Sequence, residues 1–235
     1  MLFASSSPVL QTVALGALLF AASCKDDVKT KANVKAQDDV KAKIRECETE
    51  CVTPFGTVLG SNRGIIAYSN CGPACINPTP ASANTASKED VYTGITWQCV
   101  EYARRWWLIE RGAVFGSVDT ADAMWKEVTR AQRPSDTSEL GVGRHENGGT
   151  VAPAIGDLVI YQADSKTENL RFGHVAVVVG VDLVRGLVAL AEQNFENKKW
   201  QAQDSHSRNL SLKSDDGHYT LTDKSLVLYG WLRLE

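Results

Sequence analysis

The stretch Trp97-Gln98-Cys99-Val100-Glu101-Tyr102-Ala103-Arg104-Arg105-Trp106-Trp107-Leu108-Ile109-Glu110-Arg111-Gly112 decides how this chain is read. Val100, Ala103 and Trp107, with Ile109 more loosely, recur at helical spacing. Glu101, Arg104 and Arg105 form a polar face, and Gly112 suits a C-cap. The pattern predicts a helix with Cys99 near its N-terminus. There the unpaired backbone N–H groups and the positive end of the helix dipole stabilise a thiolate. From this element alone two readings stand: a thiol nucleophile, or a small hydrophobe buried on an amphipathic helix.

A thiolate needs a base, and the chain holds four histidines. His145 sits in a Gly-rich loop and His206 in a polar stretch, so both read as surface residues. His174 opens Gly173-His174-Val175-Ala176-Val177-Val178-Val179-Gly180, a β-branched run that reads as a buried strand. Gly173 permits close approach of another group just before the imidazole. Such an imidazole is either one half of a catalytic pair or a satisfied core histidine. The next strand, Leu187-Val188-Ala189-Leu190-Ala191-Glu192-Gln193-Asn194, is apolar until its last three residues. A hairpin turn over Asp182 to Gly186, centred near residues 183 and 184, brings His174 opposite that polar triplet. Parity does not choose between Glu192 and Asn194, since a carboxylate or an amide can orient an imidazole. Glu192 is read as the third member and Asn194 as a substrate-side donor. The competing reading is a polar strand end facing water.

The rest of the chain sets the context. Its 235 residues are 43% hydrophobic, with 25 Lys plus Arg against 28 Asp plus Glu and a net charge of −3. That leaves ample apolar side chain for a core and excludes wholly disordered or collagen-like chains. It supplies no strong positive field, so no nucleic-acid partner is expected. Up to Cys24 no side chain but that cysteine is ionisable, and Val9 to Ser23 is apolar and small apart from Gln11 and Thr12. This run is shorter than the ~20 residues of a spanning helix, and it ends in Ala21-Ala22-Ser23. Residues 1–23 therefore read as a signal peptide, which places the protein outside the cytoplasm: secreted, periplasmic or in the cell envelope. Ala21-Ala22-Ser23-Cys24 also loosely matches a bacterial lipobox, with Ala21 where leucine is usual, making Cys24 a candidate lipidated membrane tether.

Residues 24–50 read as a charged tether, since Lys25 to Glu50 holds seven basic and seven acidic side chains and no aromatic. Composition changes at Cys51-Val52-Thr53-Pro54-Phe55-Gly56, so the folded domain is expected over residues 51–235. Cys47 with Cys51, and Cys71 with Cys75, make two C-x-x-x-C pairs. In an exported chain these predict two disulfides, with three connectivities open. If Cys47 and Cys51 share a helix face, both can bridge to the 71–75 segment. A four-thiolate zinc site is the rival, at spacings looser than a zinc ribbon. The polar stretch Arg130 to Gly149 is long enough to read as a lid. Of the six tryptophans, at most one is expected in a substrate pocket.

Six segments extend the two central motifs: PFGTVLG (54–60), WQCVEYARR (97–105), NGGTVAPAIGDLVIY (147–161), GHVAVVVG (173–180), AEQN (191–194) and HYTLTD (218–223), with GWLRLE (230–235) at the end. In this order the chain resembles the CHAP family of cysteine- and histidine-dependent amidohydrolases and peptidases. Within that family it is most similar to the amidase domain of glutathionylspermidine and trypanothione synthetase-amidases. The resemblance implies an α+β, papain-like fold with a nucleophile helix packed on an antiparallel β-sheet. It implies Cys99 as nucleophile, His174 as general base, Glu192 as third member, Gln98 in the oxyanion hole and Arg104 in substrate recognition, with no metal or organic cofactor. The implied substrate is an amide of a glutathione–polyamine conjugate, whereas export favours a peptidoglycan peptide. The chain ends at Glu235, so the synthetase half of the bifunctional enzymes is expected to be absent. Two non-enzymatic readings remain: a tethered binding module that keeps the pocket, and a disulfide-stabilised envelope domain in which Cys99 merely packs.

Overall fold

A computed structural model describes residue 47, residues 50–224 and residues 226–235. The expected signal peptide, Cys24 and nearly all of the tether lie outside the described residues. Two hairpins come first, β1 (Val58–Asn62) with β2 (Ile65–Tyr68) and β3 (Pro80–Ala83) with β4 (Val91–Ile95). Helix α1 (Cys99–Arg111) follows, then β5 (Val114–Phe115), α2 (Ala121–Glu127), β6 (Arg130–Gln132) and β7 (Glu139–Glu146). The remaining strands are β8 (Leu158–Tyr161), β9 (His174–Asp182), β10 (Leu187–Ala191), β11 (Arg208–Asp215), β12 (His218–Thr222) and β13 (Leu228–Leu234). From β5 onward they form one nine-stranded sheet in the order β12-β11-β10-β9-β8-β13-β7-β6-β5. Every pairing is antiparallel, which agrees with an α+β architecture.

The central strands are covered on both faces, which is why β8 and the start of β9 read as unbroken apolar runs. Leu158, Ile160, Val175 and Val177 share one core with Tyr102, Ala103, Trp106 and Trp107 of α1. Val159, Tyr161, Ala176 and Val178 share the opposite core with Leu210, Leu212, Leu221 and Trp231. The second core is closed by the Asn147-Gly148-Gly149 segment. Its backbone reaches Tyr229 of β13 at 2.9 Å and Tyr219 of β12 at 2.8 Å, tying the far edge of the sheet back. The expected lid over residues 130–149 is thus corrected: the stretch supplies β6 and β7, and Leu140 and Val142 face the first core. Leu140 and Val142 stand two apart on one face of β7, a strand period that outweighs the Gly and Asn content that suggested a loop.

Helix α1 begins at Cys99 and ends where expected, with Gly112 at φ 63° and its N–H returned to Leu108. Its polar face does not point to water. Glu101 is 1% exposed, Arg104 6% and Arg105 8%. Glu101 pairs with Arg105 at 2.8 Å and also accepts from Thr93, eight residues before it, and from the distant Gln193, which together satisfy the buried charges. The β9–β10 hairpin also forms, with a turn over residues 183–186 and a bulge between Ala189 and Leu190. Cys47 bonds to Cys75 and Cys51 to Cys71, so the first pair bridges to the second. All four sulfurs are committed, which removes the zinc alternative. No helix among the described residues is long and apolar enough to cross a membrane.

Candidate active site

Cys99 is the first residue of α1, 8% exposed, and the free thiol among the described residues. At a helix's first position its backbone N–H has no intrahelical acceptor. His174 is the first residue of β9 and is wholly buried. Gly173 makes this placement possible. It has φ +73°, and a Cβ there would lie 2.6 Å from the Asp122 backbone nitrogen and 2.8 Å from the Tyr161 carbonyl oxygen. The start of α2 therefore packs directly on the backbone leading into the imidazole.

The imidazole Nε2 lies 2.8 Å from Glu192 Oε2. Nδ1 is buried and has no nitrogen or oxygen partner, so it is left to the Cys99 sulfur. Burial works against imidazolium, but the Cys99 sulfur and the Glu192 carboxylate outweigh it and hold His174 at about 9. Burial likewise works against the Glu192 anion, yet the Arg208 guanidinium and then His174 bring it down to about 2. Phe195 packs 4.7 Å from the imidazole ring, and Tyr161 lies 5.6 Å away. These rings pack against the imidazole.

Gln98 and Asn194 meet beside the thiol. Gln98 Nε2 donates at 3.2 Å to both Asn70 Oδ1 and the Cys75 carbonyl. Its Oε1 accepts from Asn194 Nδ2 at 2.8 Å. Asn194 therefore spends a donor on Gln98, though it still lines the cleft. Arg104 is buried on the same side, with Nη1 on Ser117 at 3.0 Å and Nη2 on the Tyr92 carbonyl at 3.2 Å. Its Nε has no partner, and it forms no ion pair with a carboxylate among the described residues. Burial lowers its affinity for a proton. These groups surround a cleft of about 380 Å³ that opens on Cys99 between Tyr92 and Phe172, both substantially exposed. No tryptophan lines it.

Several residues at the site escape the sequence reading. Gln193 Nε2 donates to the Gln98 carbonyl at 3.0 Å and to Glu101 at 2.9 Å, linking the end of β10 to the residue before Cys99. Asn70 holds Gln98 from the disulfide-stapled segment, and Ser207, Arg208, Asp223 and Tyr161 stand behind Glu192. Arg208 left a signal. It continues the inward row of Leu210 and Leu212 on β11, a charged residue where alternation calls for an apolar one.

A thiol at a helix N-terminus, beside an imidazole held by a carboxylate, is the arrangement that nucleophilic thiol catalysis requires. Residues 90–194 match the family model described as the CHAP domain. Glutathionylspermidine synthase of Crithidia fasciculata is 30% identical over 191 residues, 78% of this chain and 26% of the relative. The bifunctional glutathionylspermidine synthetase/amidase of Escherichia coli (strain K12) is 30% identical over 184 residues, 76% of this chain and 29% of the relative. Trypanothione synthetase of Crithidia fasciculata is 33% identical over 173 residues, 72% of this chain and 24% of the relative. The chain spans about a quarter of the length of these curated relatives. The chain is thus similar to the CHAP domain over residues 90–194 and to these relatives over about three quarters of its own length.

Proposed function

We propose that the protein is an exported thiol amidohydrolase of papain-like fold that cleaves a glutathionylspermidine-type amide through Cys99, His174 and Glu192. The observation that carries this reading is the buried imidazole between the Cys99 sulfur and the Glu192 carboxylate, 2.8 Å away on its far side. The Cys99 thiolate attacks the amide carbonyl carbon and forms a thioester. The developing oxyanion falls to the Cys99 backbone N–H and to Gln98 Nε2, whose present bonds of 3.2 Å are long enough to yield. The His174 imidazolium gives its proton to the departing amine. The neutral ring then takes a proton from water, which attacks the thioester, releases the acid and restores the thiol. Asn194 orients Gln98, and Arg104, a buried cation without an anion, suits a substrate carboxylate.

The polyamine-conjugate substrate is suggested by the synthetase/amidase relatives. A second reading, cleavage of a peptidoglycan peptide, is favoured by the two disulfides, which fit an oxidising compartment outside the cytoplasm. A side-by-side assay of glutathionylspermidine and purified muropeptides, with Cys99→Ala as control, separates the two. Amine release from glutathionylspermidine that disappears in Cys99→Ala supports the first reading. Release from muropeptides alone supports the second, and equal release by native and Cys99→Ala proteins overturns both.

A further inference from the structure

Glu192 carries more donors than the orientation of one imidazole requires. Besides His174, its Oε1 accepts from Arg208 Nε at 2.6 Å and from Ser207 Oγ at 2.9 Å, while Oε2 accepts from Arg208 Nη2 at 3.2 Å. Arg208 is itself fixed from behind. Its Nη1 bonds to Asp223, its Nη2 meets the Tyr161 hydroxyl at 3.0 Å, and that hydroxyl donates to Asp223 at 2.9 Å. From Cys99 through His174, Glu192 and Arg208 to Asp223, acidic and basic groups alternate along a chain of contacts.

We propose that Arg208 is a positioning residue of the hydrolytic centre: it clamps Glu192 at two points and keeps it an anion that orients His174 without capturing its proton. The inference rests on the thiol-hydrolase reading above. A carboxylate buried against a lone imidazolium can neutralise itself by taking the ring's proton, because burial penalises both charges. A guanidinium does not deprotonate, so its charge stays beside Glu192 at every working pH. Its fork also sets the plane of the carboxylate, which a single donor does not. Asp223 and Tyr161 stop Arg208 from swinging away.

The charged and titratable groups around Glu192 are named by element. His174 approaches from β9, Tyr161 from β8, Tyr102 and Cys99 from α1, Arg208 from β11 and Asp223 from the segment after β12. Glu196, Lys198, Lys199 and Lys224 line the cavity of about 530 Å³ that opens on the back of the carboxylate. Of the lysines and arginines among the described residues, Arg208 alone forms an ion pair with Glu192.

The full chain is tested as Arg208→Met, Arg208→Ala and Arg208→Lys, reading kcat, KM and the pH profile of amide hydrolysis together with iodoacetamide capture of Cys99. Arg208→Met is expected to lower kcat about 10- to 100-fold with KM within about twofold, the scale seen when outer-shell partners of functional groups are removed. Its acid limb is expected to move to higher pH as Glu192 becomes protonatable. Millimolar guanidinium is expected to restore Arg208→Ala through the cavity, and methylammonium is not. Arg208→Lys keeps the charge but loses the fork, so it lowers kcat while leaving the acid limb in place. Folded variants with native kcat and a native acid limb overturn the proposal. If the Met and Ala variants do not fold, Arg208→Lys decides, and native kcat in it overturns the two-point clamp. An inactive native protein whose Cys99 alkylates like His174→Ala instead overturns the hydrolase reading, so the two failures are distinguishable.

Discussion

The two nitrogens of His174 face opposite worlds. Behind Nε2, Glu192, Ser207, Arg208, Tyr161 and Asp223 form a network in which both carboxylate oxygens of Glu192 accept hydrogen bonds. In front of Nδ1, among the described residues, stand the Cys99 sulfur and a cleft whose wall holds a cation, Arg104, with an unpartnered Nε. Satisfied polar groups make the rear rigid, and unsatisfied ones make the front receptive. The difference separates what fixes the imidazole from what uses it.

Removing the front has the largest effect. Cys99→Ala is expected to lower amide hydrolysis by at least about 10⁴-fold with an unchanged circular-dichroism spectrum, because the step that it begins has no other nucleophile. Breaking the rear costs less. Glu192→Gln is expected to lower kcat by about 10² to 10⁴, since the amide still accepts a hydrogen bond but no longer supports imidazolium. It also leaves Arg208 with one carboxylate instead of two, which thermal melting reads as a lower Tm.

Titration sharpens the comparison further. His174 is raised from 6.5 to about 9, so kcat/KM is expected to fall on an alkaline limb near pH 9 as imidazolium is lost. The same shift stabilises the fold fully below about pH 6.5, and that contribution disappears as pH rises through 9. Glu192 has the opposite sign: lowered from 4.5 to about 2, it stabilises above about pH 4.5 and loses this as pH falls through 2. Melting temperature against pH checks both windows. The smallest catalytic effect is expected from Cys51→Ser with Cys71→Ser. That pair should cost about 3 kcal/mol of stability by urea titration yet leave kcat within about twofold, because neither Cys51 nor Cys71 lines the Cys99 cleft.

The front of the site was legible in the sequence because it depends on local signals. Gly112 caps α1, Cys99 opens it, and Gly173 admits α2 beside His174. The hairpin delivered Glu192 through the spacing of two apolar runs, although the bulge at Ala189 and Leu190 was not visible in it. The rear depends on chain brought from afar. Arg208 lies 16 residues from Glu192, and Asp223 a further 15 from Arg208, so nothing in the spacing names them as partners. The polar face of α1 misled for the same reason. Glu101 and Arg105 are charged and periodic, and only Gln193, 92 residues beyond Glu101, and Thr93 explain why that face is buried. Residues 130–149 show the reverse error, a polar stretch taken as a lid whose Leu140 and Val142 were strand residues facing a core.

The central claim of the proposed function is that His174 activates the Cys99 thiol, and alkylation reads that directly. Iodoacetamide capture of Cys99 near neutral pH, followed by mass spectrometry in native protein and His174→Ala, requires no substrate. Rapid labelling of the native thiol, slowed at least about tenfold in His174→Ala, is the predicted result. Equally sluggish labelling in both would contradict the account and return Cys99 to the core as a packing residue.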